Sequence, residues 1–164
     1  MRPDVAIIGA GPAGVAAGLS LKQLAPEARV ALFGSSRTLQ RRPVESLVPA
    51  ARKTLTELGC WEAFKAEAFS ESLGSRAVWG SDVPYENEFL FSLHGCGWSV
   101  NRARFDSMLV ECARAAGIEV HEARGMTPGA SFTIDASGRR AVFRHPTRGG
   151  AAFVERVGGR LRSV

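Results

Sequence analysis

A glycine-rich turn close to the amino terminus constrains the fold of this chain more than any other feature. The apolar run Val-Ala-Ile-Ile at residues 5–8 is typical of a strand buried on both faces of a parallel sheet. The motif Gly-Ala-Gly-Pro-Ala-Gly follows at residues 9–14, a helix is predicted over residues 12–24, and an apolar strand is predicted at residues 29–33. Together these elements form a βαβ unit, which has a right-handed crossover.

The spacing of the three glycines predicts a loop that binds a dinucleotide. Gly9 allows the tight turn out of the strand, Gly11 leaves room for a pyrophosphate at the backbone, and Gly14 lets the helix pack closely on the strand. Pro12 and Ala13 begin the helix, whose first N–H groups and positive dipole end would face the phosphates. A glycine turn without a ligand is the alternative, but the flanking strand and helix favour the dinucleotide.

The end of the second strand departs from this pattern. An acidic residue is expected there, about 20 residues beyond the last glycine, to accept hydrogen bonds from the adenosine ribose. The chain instead has Gly34, followed by Ser35, Ser36 and Arg37. Ser35 or Ser36 is a weak substitute, and Arg37 is either a partner for a 2′-phosphate, which favours NADP, or a solvated loop residue. The choice between FAD and NADP therefore stays open.

The remaining pattern predicts the rest of an α/β domain. Helices are predicted at 46–58, 61–69 and 102–116, strands at 76–79, 88–93, 118–121 and 131–135, and a hairpin from 141–143 and 152–154. The fold class is therefore α/β, with a Rossmann-like FAD/NAD(P)-binding fold that has a parallel sheet and a small β-rich excursion at about residues 70–100. We expect one domain over residues 1–164.

The composition excludes several classes of protein. Hydrophobic residues make up 45% and charged residues 23%, as in folded globular proteins. No apolar run reaches the roughly 20 residues of a membrane span. The net charge of +5 arises in residues 139–164, which hold seven arginines against Glu155. This tail lacks a helical stripe of basic residues, so we expect no nucleic-acid binding.

The cysteines and histidines predict neither disulfides nor a metal site. The three cysteines are scattered and lack CxxC spacing, and the three histidines lack metal-ligand spacing. The amino terminus has no signal-peptide pattern. We therefore expect a cytoplasmic protein with free thiols.

Three further segments carry a family resemblance. They are Pro-Val-Glu-Ser-Leu-Val-Pro at residues 43–49, Trp-Ser-Val-Asn-Arg-Ala-Arg-Phe-Asp at residues 98–106, and Asp-Ala-Ser-Gly-Arg at residues 135–139. With the glycine motif, they resemble in order and spacing the FAD-dependent monooxygenases and reductases that have the para-hydroxybenzoate hydroxylase fold. The chain is most similar to the branch of flavin-dependent halogenases, geranylgeranyl reductases and flavoproteins that help to mature quinone-cofactor oxidases. The resemblance covers roughly residues 4–140.

The resemblance implies an FAD cofactor, with NAD(P)H as a possible reductant, and assigns residues to it. Arg102 and Asp135 are implied to contact a phosphate or sugar of the cofactor, and Gly138 belongs to the turn beside it. Ser35 is predicted to lie near the ribose of the cofactor. Arg42, Glu45 and Ser46 are implied to lie near its isoalloxazine ring. No catalytic residue is implied.

The residues themselves leave alternatives open. Glu45 is alternatively a helix-start acid, Arg102 a surface arginine paired with Asp106, and Asp135 a turn former. The family's later Gly-Asp segment and most of its substrate domain have no counterpart here. We therefore expect the FAD-binding portion of a flavin-dependent, monooxygenase-type oxidoreductase with a small-molecule substrate. We also expect exposed apolar surface, which a homo-oligomer or a missing carboxy-terminal domain covers. The alternatives are an NAD(P)-binding reductase module and a non-catalytic dinucleotide-binding fragment.

Overall fold

A computed structural model describes residues 2–34, 44–78, 83, 85–89, 91–122, 129–138 and 154–156. The chain divides into two compact units, one formed by Met1–Gln40 with Leu109–Val164 and the other by Arg41–Met108. The helices are α1 (Pro12–Leu24), α2 (Ala51–Glu57), α3 (Trp61–Ala66) and α4 (Arg102–Ala115). The strands are β1 (Val5–Ile8), β2 (Val30–Gly34), β3 (Val44–Leu47), β4 (Ser70–Ser72), β5 (Gly74–Ala77), β6 (Tyr85–Glu88), β7 (Gly97–Asn101), β8 (Glu119–Glu122), β9 (Phe132–Asp135) and β10 (Val154–Arg156).

The first unit contains the parallel sheet that the sequence predicts. Its strand order is β10-β9-β1-β2-β8, in which β9, β1, β2 and β8 are parallel and β10 runs antiparallel to β9. Ala6, Ile7 and Leu32 are completely buried in the two central strands. These apolar runs need cover on both faces, which a parallel sheet with crossover helices provides. The predicted α/β class and Rossmann-like fold are confirmed.

An ion pair joins the starts of β1 and β2. Asp4 precedes β1, and its carboxylate accepts hydrogen bonds from the backbone N–H, Nε and Nη2 of Arg29 at 2.9, 3.1 and 2.6 Å. These bonds lower the pKa of Asp4 to about 2. The Asp4 N–H in turn donates to the Arg29 carbonyl at 2.9 Å. The pair therefore reinforces the register of two neighbouring parallel strands at their amino-terminal ends.

The second unit has two small antiparallel sheets and an aromatic cluster. The sheets have the orders β3-β7-β4 and β5-β6, which agrees with the predicted β-rich excursion. Phe64 of α3 is 2% exposed, and its ring lies 5.5 Å from Trp61 and 5.3 Å from Trp98. Trp61 and Trp98 therefore pack around the buried Phe64 ring and anchor the core of this unit.

Two predicted elements have the wrong bounds. The helix predicted at residues 46–58 begins only at Ala51, because residues 44–47 form β3 and pair with β7. Pro49 follows the strand and disfavours helix in the residue before it. The strand predicted at residues 88–93 ends at Glu88, after which the Ser92 N–H donates to the Phe89 carbonyl in a turn. The Phe89 ring packs over Gly97, where a side chain would stand only 2.8 Å from it.

The tail hairpin is tested only in part. Residues 141–143 and 152–153 lie outside the described residues. The described part of the tail, β10, pairs with β9 at the edge of the parallel sheet.

Candidate cofactor-binding site

Gly9 turns the chain sharply at the end of β1. Its φ of 115° lies in the region that favours glycine, and a Cβ at this position would stand 2.4 Å from the Ala136 carbonyl oxygen. The Gly9 N–H donates to the Phe33 carbonyl at 2.7 Å, and the Ala136 N–H donates to the Ile8 carbonyl at 2.8 Å. The loop is therefore held between the carboxyl ends of β2 and β9, where ligands bind in open α/β sheets.

Gly14 and Gly11 are glycines for different reasons. A Cβ at Gly14 would lie 1.8 Å from the Gly9 carbonyl oxygen, so Gly14 permits the close packing of α1 on the loop. A Cβ at Gly11 would meet no atom of the described residues within 4 Å, and Gly11 has an ordinary φ of −83°. The protein's own packing in the described part of the chain thus does not require glycine at position 11. Open space over a bare backbone fits the approach of a diphosphate.

The amino-terminal end of α1 completes this anion-binding arrangement. Gly11 is the N-cap residue, no side chain of the described residues caps the helix, and Pro12 occupies the first turn. The first intrahelical bond runs from the Val15 N–H to the Gly11 carbonyl at 3.0 Å. The N–H groups of Ala13 and Gly14 precede that bond, and helix geometry gives them no intrahelical acceptor. This end of α1 therefore fits a phosphate group of a dinucleotide.

The turn after β9 lies beside the glycine loop. Oδ1 of Asp135 accepts hydrogen bonds from the Ser137 N–H at 2.9 Å and from the Ser137 Oγ at 2.5 Å. Gly138 then adopts a φ of 68°. Asp135 is therefore a turn former, and the turn places Ala136 against Gly9. A contact of Asp135 or Gly138 with the cofactor stays a prediction.

Gly34, where an acid was expected, packs against the same loop. A Cβ at Gly34 would lie 2.5 Å from the Cβ of Ala10 and 2.8 Å from its backbone nitrogen. The sequence shows that an acid is missing but gives no sign of this contact. Ser35, Arg37 and Arg42 lie outside the described residues.

In the second unit, Arg102 is held between two carboxylates. Its Nε donates to Oδ1 of Asp106 at 2.7 Å, and its Nη1 donates to Oε2 of Glu45 at 2.5 Å. The Asp106 side chain is 0% exposed and that of Arg102 is 15% exposed. Burial by itself would lower the pKa of Arg102, but the hydrogen bonds to Asp106 and Glu45 raise it above its usual value. The guanidinium is therefore a charged group with a defined orientation.

This geometry excludes the alternative roles that the sequence left open for Glu45 and Arg102. Glu45 is not a helix-start acid, because it lies in β3 opposite Val100. Arg102 does pair with Asp106, but both side chains are too buried for a surface pair. Ser46 is exposed on β3, opposite Ser99. Whether Glu45, Ser46 and Arg102 contact a cofactor stays a prediction.

Other kinds of site receive no support in the described part of the chain. Its histidines, cysteines and acids nowhere gather in a group of three that could hold a metal ion. None of its helices combines the length and apolar character needed to cross a bilayer.

The sheet and its glycine loop define a dinucleotide-binding domain of the Rossmann-like class. Residues 2–155 match the family model of an FAD binding domain. The chain therefore belongs to the FAD-binding domain family of para-hydroxybenzoate hydroxylase-like monooxygenases and halogenases, as its motifs suggest. Among curated proteins, no sequence matches it.

Solved structures agree with this assignment. The myxobacterial chondrochloren halogenase CndH is 26% identical, with a TM-score of 0.71, and the alignment covers 85% of this chain and 38% of the halogenase. A flavoprotein/dehydrogenase from Cytophaga hutchinsonii is 26% identical, with a TM-score of 0.70 and coverages of 87% and 41%. The flavin-dependent halogenase CmlS is 31% identical, with a TM-score of 0.65 and coverages of 94% and 28%. The chain thus spans less than half the length of these structures.

Proposed function

We propose that this chain is the FAD-binding portion of a flavin-dependent oxidoreductase of the monooxygenase type, which acts on a small molecule and is reduced by NAD(P)H. The observation that carries the proposal is the open space over Gly11 at the uncapped amino-terminal end of α1. FAD, when bound, supplies the redox chemistry. The family match supports FAD as the ligand.

The residues of the glycine loop would bind and orient the cofactor. Gly9 and Gly14 shape the loop, Gly11 admits the pyrophosphate, and the N–H groups of Ala13 and Gly14 donate to phosphate oxygens. The positive end of the 13-residue helix α1 adds an attraction for negative charge.

Arg102 is a half-buried positive charge of the second unit that two carboxylates hold in place. Because Asp106 and Glu45 hold its guanidinium, the side chain is ordered before any ligand arrives, which lowers the entropic cost of binding. We propose that Arg102 and Asp135 contact a phosphate or sugar of FAD. Further proposed contacts, carried over from the family motifs, are Gly138 in the adjoining turn, Ser35 near the ribose, and Arg42, Glu45 and Ser46 near the isoalloxazine.

The domain organisation, the apolar surface and the cellular location of the protein are also part of the proposed function. We propose that residues 1–164 belong to one FAD/NAD(P)-binding domain, whose β-rich segment at about residues 70–100 faces the substrate. Exposed apolar side chains in this segment include Leu73, Tyr85 and Phe91, at 72%, 70% and 86%. A substrate-domain segment or a second copy would cover them. The three free cysteines fit a cytoplasmic location.

Titration with FAD tests the proposal directly. The Gly11→Val variant places a side chain in the open space, so we expect FAD affinity to fall by more than about tenfold, equivalent to about 1.4 kcal/mol. Gly129→Val is the matched control, because among the described residues a Cβ there would meet only the flexible Arg2 side chain, at 3.7 Å. Circular dichroism would verify that both variants fold. Equal FAD affinity in both variants, or no FAD binding by the natural chain, would contradict the proposal.

Gly34 favours a second candidate, an NAD(P)-binding reductase module. A glycine at the end of β2 offers no carboxylate to the ribose, and the acid at this position is what repels a 2′-phosphate in NAD-binding domains. A yellow protein with flavin absorbance supports the first candidate. A colourless protein whose melting temperature rises with NADP but not with FAD supports the second. No response to either ligand would indicate a non-catalytic fragment.

A further inference from the structure

The two carboxylates that hold Arg102 differ in how firmly they are fixed. Asp106 follows Arg102 by one turn of α4, and its side chain is 0% exposed. Glu45 lies on β3, 57 residues away along the chain, and its side chain is 43% exposed. A buried carboxylate loses its partner only at a large cost in free energy, whereas a partly exposed one can exchange its partner for water at a small cost. Glu45 is therefore the carboxylate that Arg102 can release.

The hydrogen bonds of Arg102 show what such a release makes available. A phosphate binds an arginine most tightly through two neighbouring nitrogens of the guanidinium. Nε donates to Asp106 at 2.7 Å and Nη1 donates to Glu45 at 2.5 Å. Each neighbouring pair of nitrogens, Nε with Nη2 and Nη1 with Nη2, therefore already has one carboxylate. When Glu45 leaves, the pair formed by Nη1 and Nη2 becomes available, and Asp106 still holds the guanidinium from the other side.

The charges of these three side chains act in the same direction. Arg102 carries one positive charge, and Glu45 and Asp106 each carry one negative charge, so the group as a whole is negative. A phosphate that approaches Arg102 is therefore repelled as long as Glu45 stays at Nη1. Once Glu45 turns towards solvent, water and salt screen its charge, and the attraction of the guanidinium for an anion prevails.

We infer that Glu45 is an exchangeable counter-ion, which pairs with Arg102 in the free protein and gives up the guanidinium to a phosphate group of FAD when the cofactor binds. The inference rests on the proposed FAD site and deepens it, because it assigns Arg102 to a phosphate of the cofactor and not to a sugar. Asp106 keeps the guanidinium oriented during the exchange. Glu45 stays on β3 throughout, which is compatible with its proposed place near the isoalloxazine.

Titration of FAD into the natural chain and into Glu45→Gln, followed by flavin fluorescence, tests the exchange. The amide has the shape of the carboxylate but no charge, so FAD displaces a weaker partner, and we expect it to bind at least about threefold more tightly. Glu67→Gln is the matched control, because it removes the same charge from an arginine pair of the same unit, Glu67 with Arg104 at 2.7 Å. This control should bind FAD like the natural chain.

The direction of the change in affinity decides the outcome. A smaller gain in Glu45→Gln, unchanged binding or weaker binding overturns the inference, and so does an equal gain in Glu67→Gln. If the natural chain does not bind FAD, the proposed function fails instead.

Urea unfolding in the absence of FAD separates the exchange from a purely structural role of Glu45. The exchange predicts that Glu45→Gln loses stability, because Arg102 loses a charged partner, while its affinity for FAD rises. A purely structural role predicts that stability and affinity fall together, and that result overturns the inference. If Glu45→Gln does not fold, Glu45→Thr decides by the same criterion, since a β-branched side chain suits a strand.

Discussion

Gly14 lies directly over the carbonyl oxygen of Gly9, so close that a Cβ on Gly14 would stand 1.8 Å from that oxygen. The contact joins the first turn of α1 to the turn after β1. Because both partners are backbone groups at this point, no rotation of a side chain can make room. The shape of the glycine loop therefore depends on the absence of one methyl group.

We predict that Gly14→Ala destabilises the protein by about 1–3 kcal/mol, as overpacking of a buried site does. FAD affinity should fall as well, because the loop moves. Gly11→Ala is the control, since its Cβ meets no described atom within 4 Å, and its effect on stability should stay below about 1 kcal/mol. Urea unfolding of the two variants checks this. Equal unfolding midpoints would contradict the packing role of Gly14.

The buried carboxylate of Asp106 supports the charge of Arg102. Replacing Asp106 by alanine leaves the Arg102 guanidinium, 15% exposed, without its buried partner, and we expect a loss of about 3–5 kcal/mol. Asp106→Asn should lose less, because its side-chain oxygen can still accept from Arg102 Nε.

An exposed ion pair on the same helix gives the control for Asp106. Glu111 pairs with Arg114 at the surface, so Glu111→Ala should change stability by less than about 1 kcal/mol. Unfolding of the three variants in guanidinium chloride measures the difference in their free energies of unfolding. Similar losses in Asp106→Ala and Glu111→Ala would show that the buried pair adds no more stability than the exposed pair.

The sequence predicts the first unit well because its signals are local. The apolar runs of β1 and β2 indicate burial on both faces, and the glycines after α4 and at the loop mark obligatory turns. Gly117, for example, has the left-handed φ of 76° expected of a helix stop. Such signals depend only on residues that are close together along the chain, so they can be recognised in a single sequence.

What the sequence does not predict depends on contacts between distant residues. Leu47 reads as part of a helical stripe, but it pairs with Trp98 in β7, and that strand decides its conformation. Gly34 likewise appears only as a missing acid until the structure places it on Ala10. At both positions, contacts with residues that are distant in the sequence determine the local structure. The hydrophobic periodicity of the neighbouring residues does not indicate these contacts.

The Asp4–Arg29 pair makes stability dependent on pH. The pKa of Asp4 is lowered to about 2 by hydrogen bonds to Arg29, whereas an aspartate in the unfolded chain titrates near about 3.9. The stabilisation is therefore fully present above about pH 5 and is lost as the pH falls through about 4 to about 2. We expect Asp4→Asn to lower the melting temperature at pH 7, with the difference from the natural chain shrinking over that window. A difference that is unchanged at pH 2 would contradict the assignment.

Phe64 is the centre of the aromatic cluster in the second unit. Its ring lies 5.2 Å from Phe69, 5.3 Å from Trp98 and 6.1 Å from Phe105, and only 2% of the residue is exposed. Truncation leaves a cavity among rings that cannot collapse into it, so Phe64→Ala should cost about 3–5 kcal/mol.

Phe91→Ala is the matched control, because it removes the same side chain from a residue that is 86% exposed. We expect that variant to stay within about 0.5 kcal/mol of the natural chain. Chemical denaturation followed by tryptophan fluorescence compares the two, since Trp61 and Trp98 both lie against Phe64. If Phe91→Ala were the more destabilising change, Phe91 would be buried by another part of the protein, and the apolar surface of the β-rich segment would be covered in the natural chain.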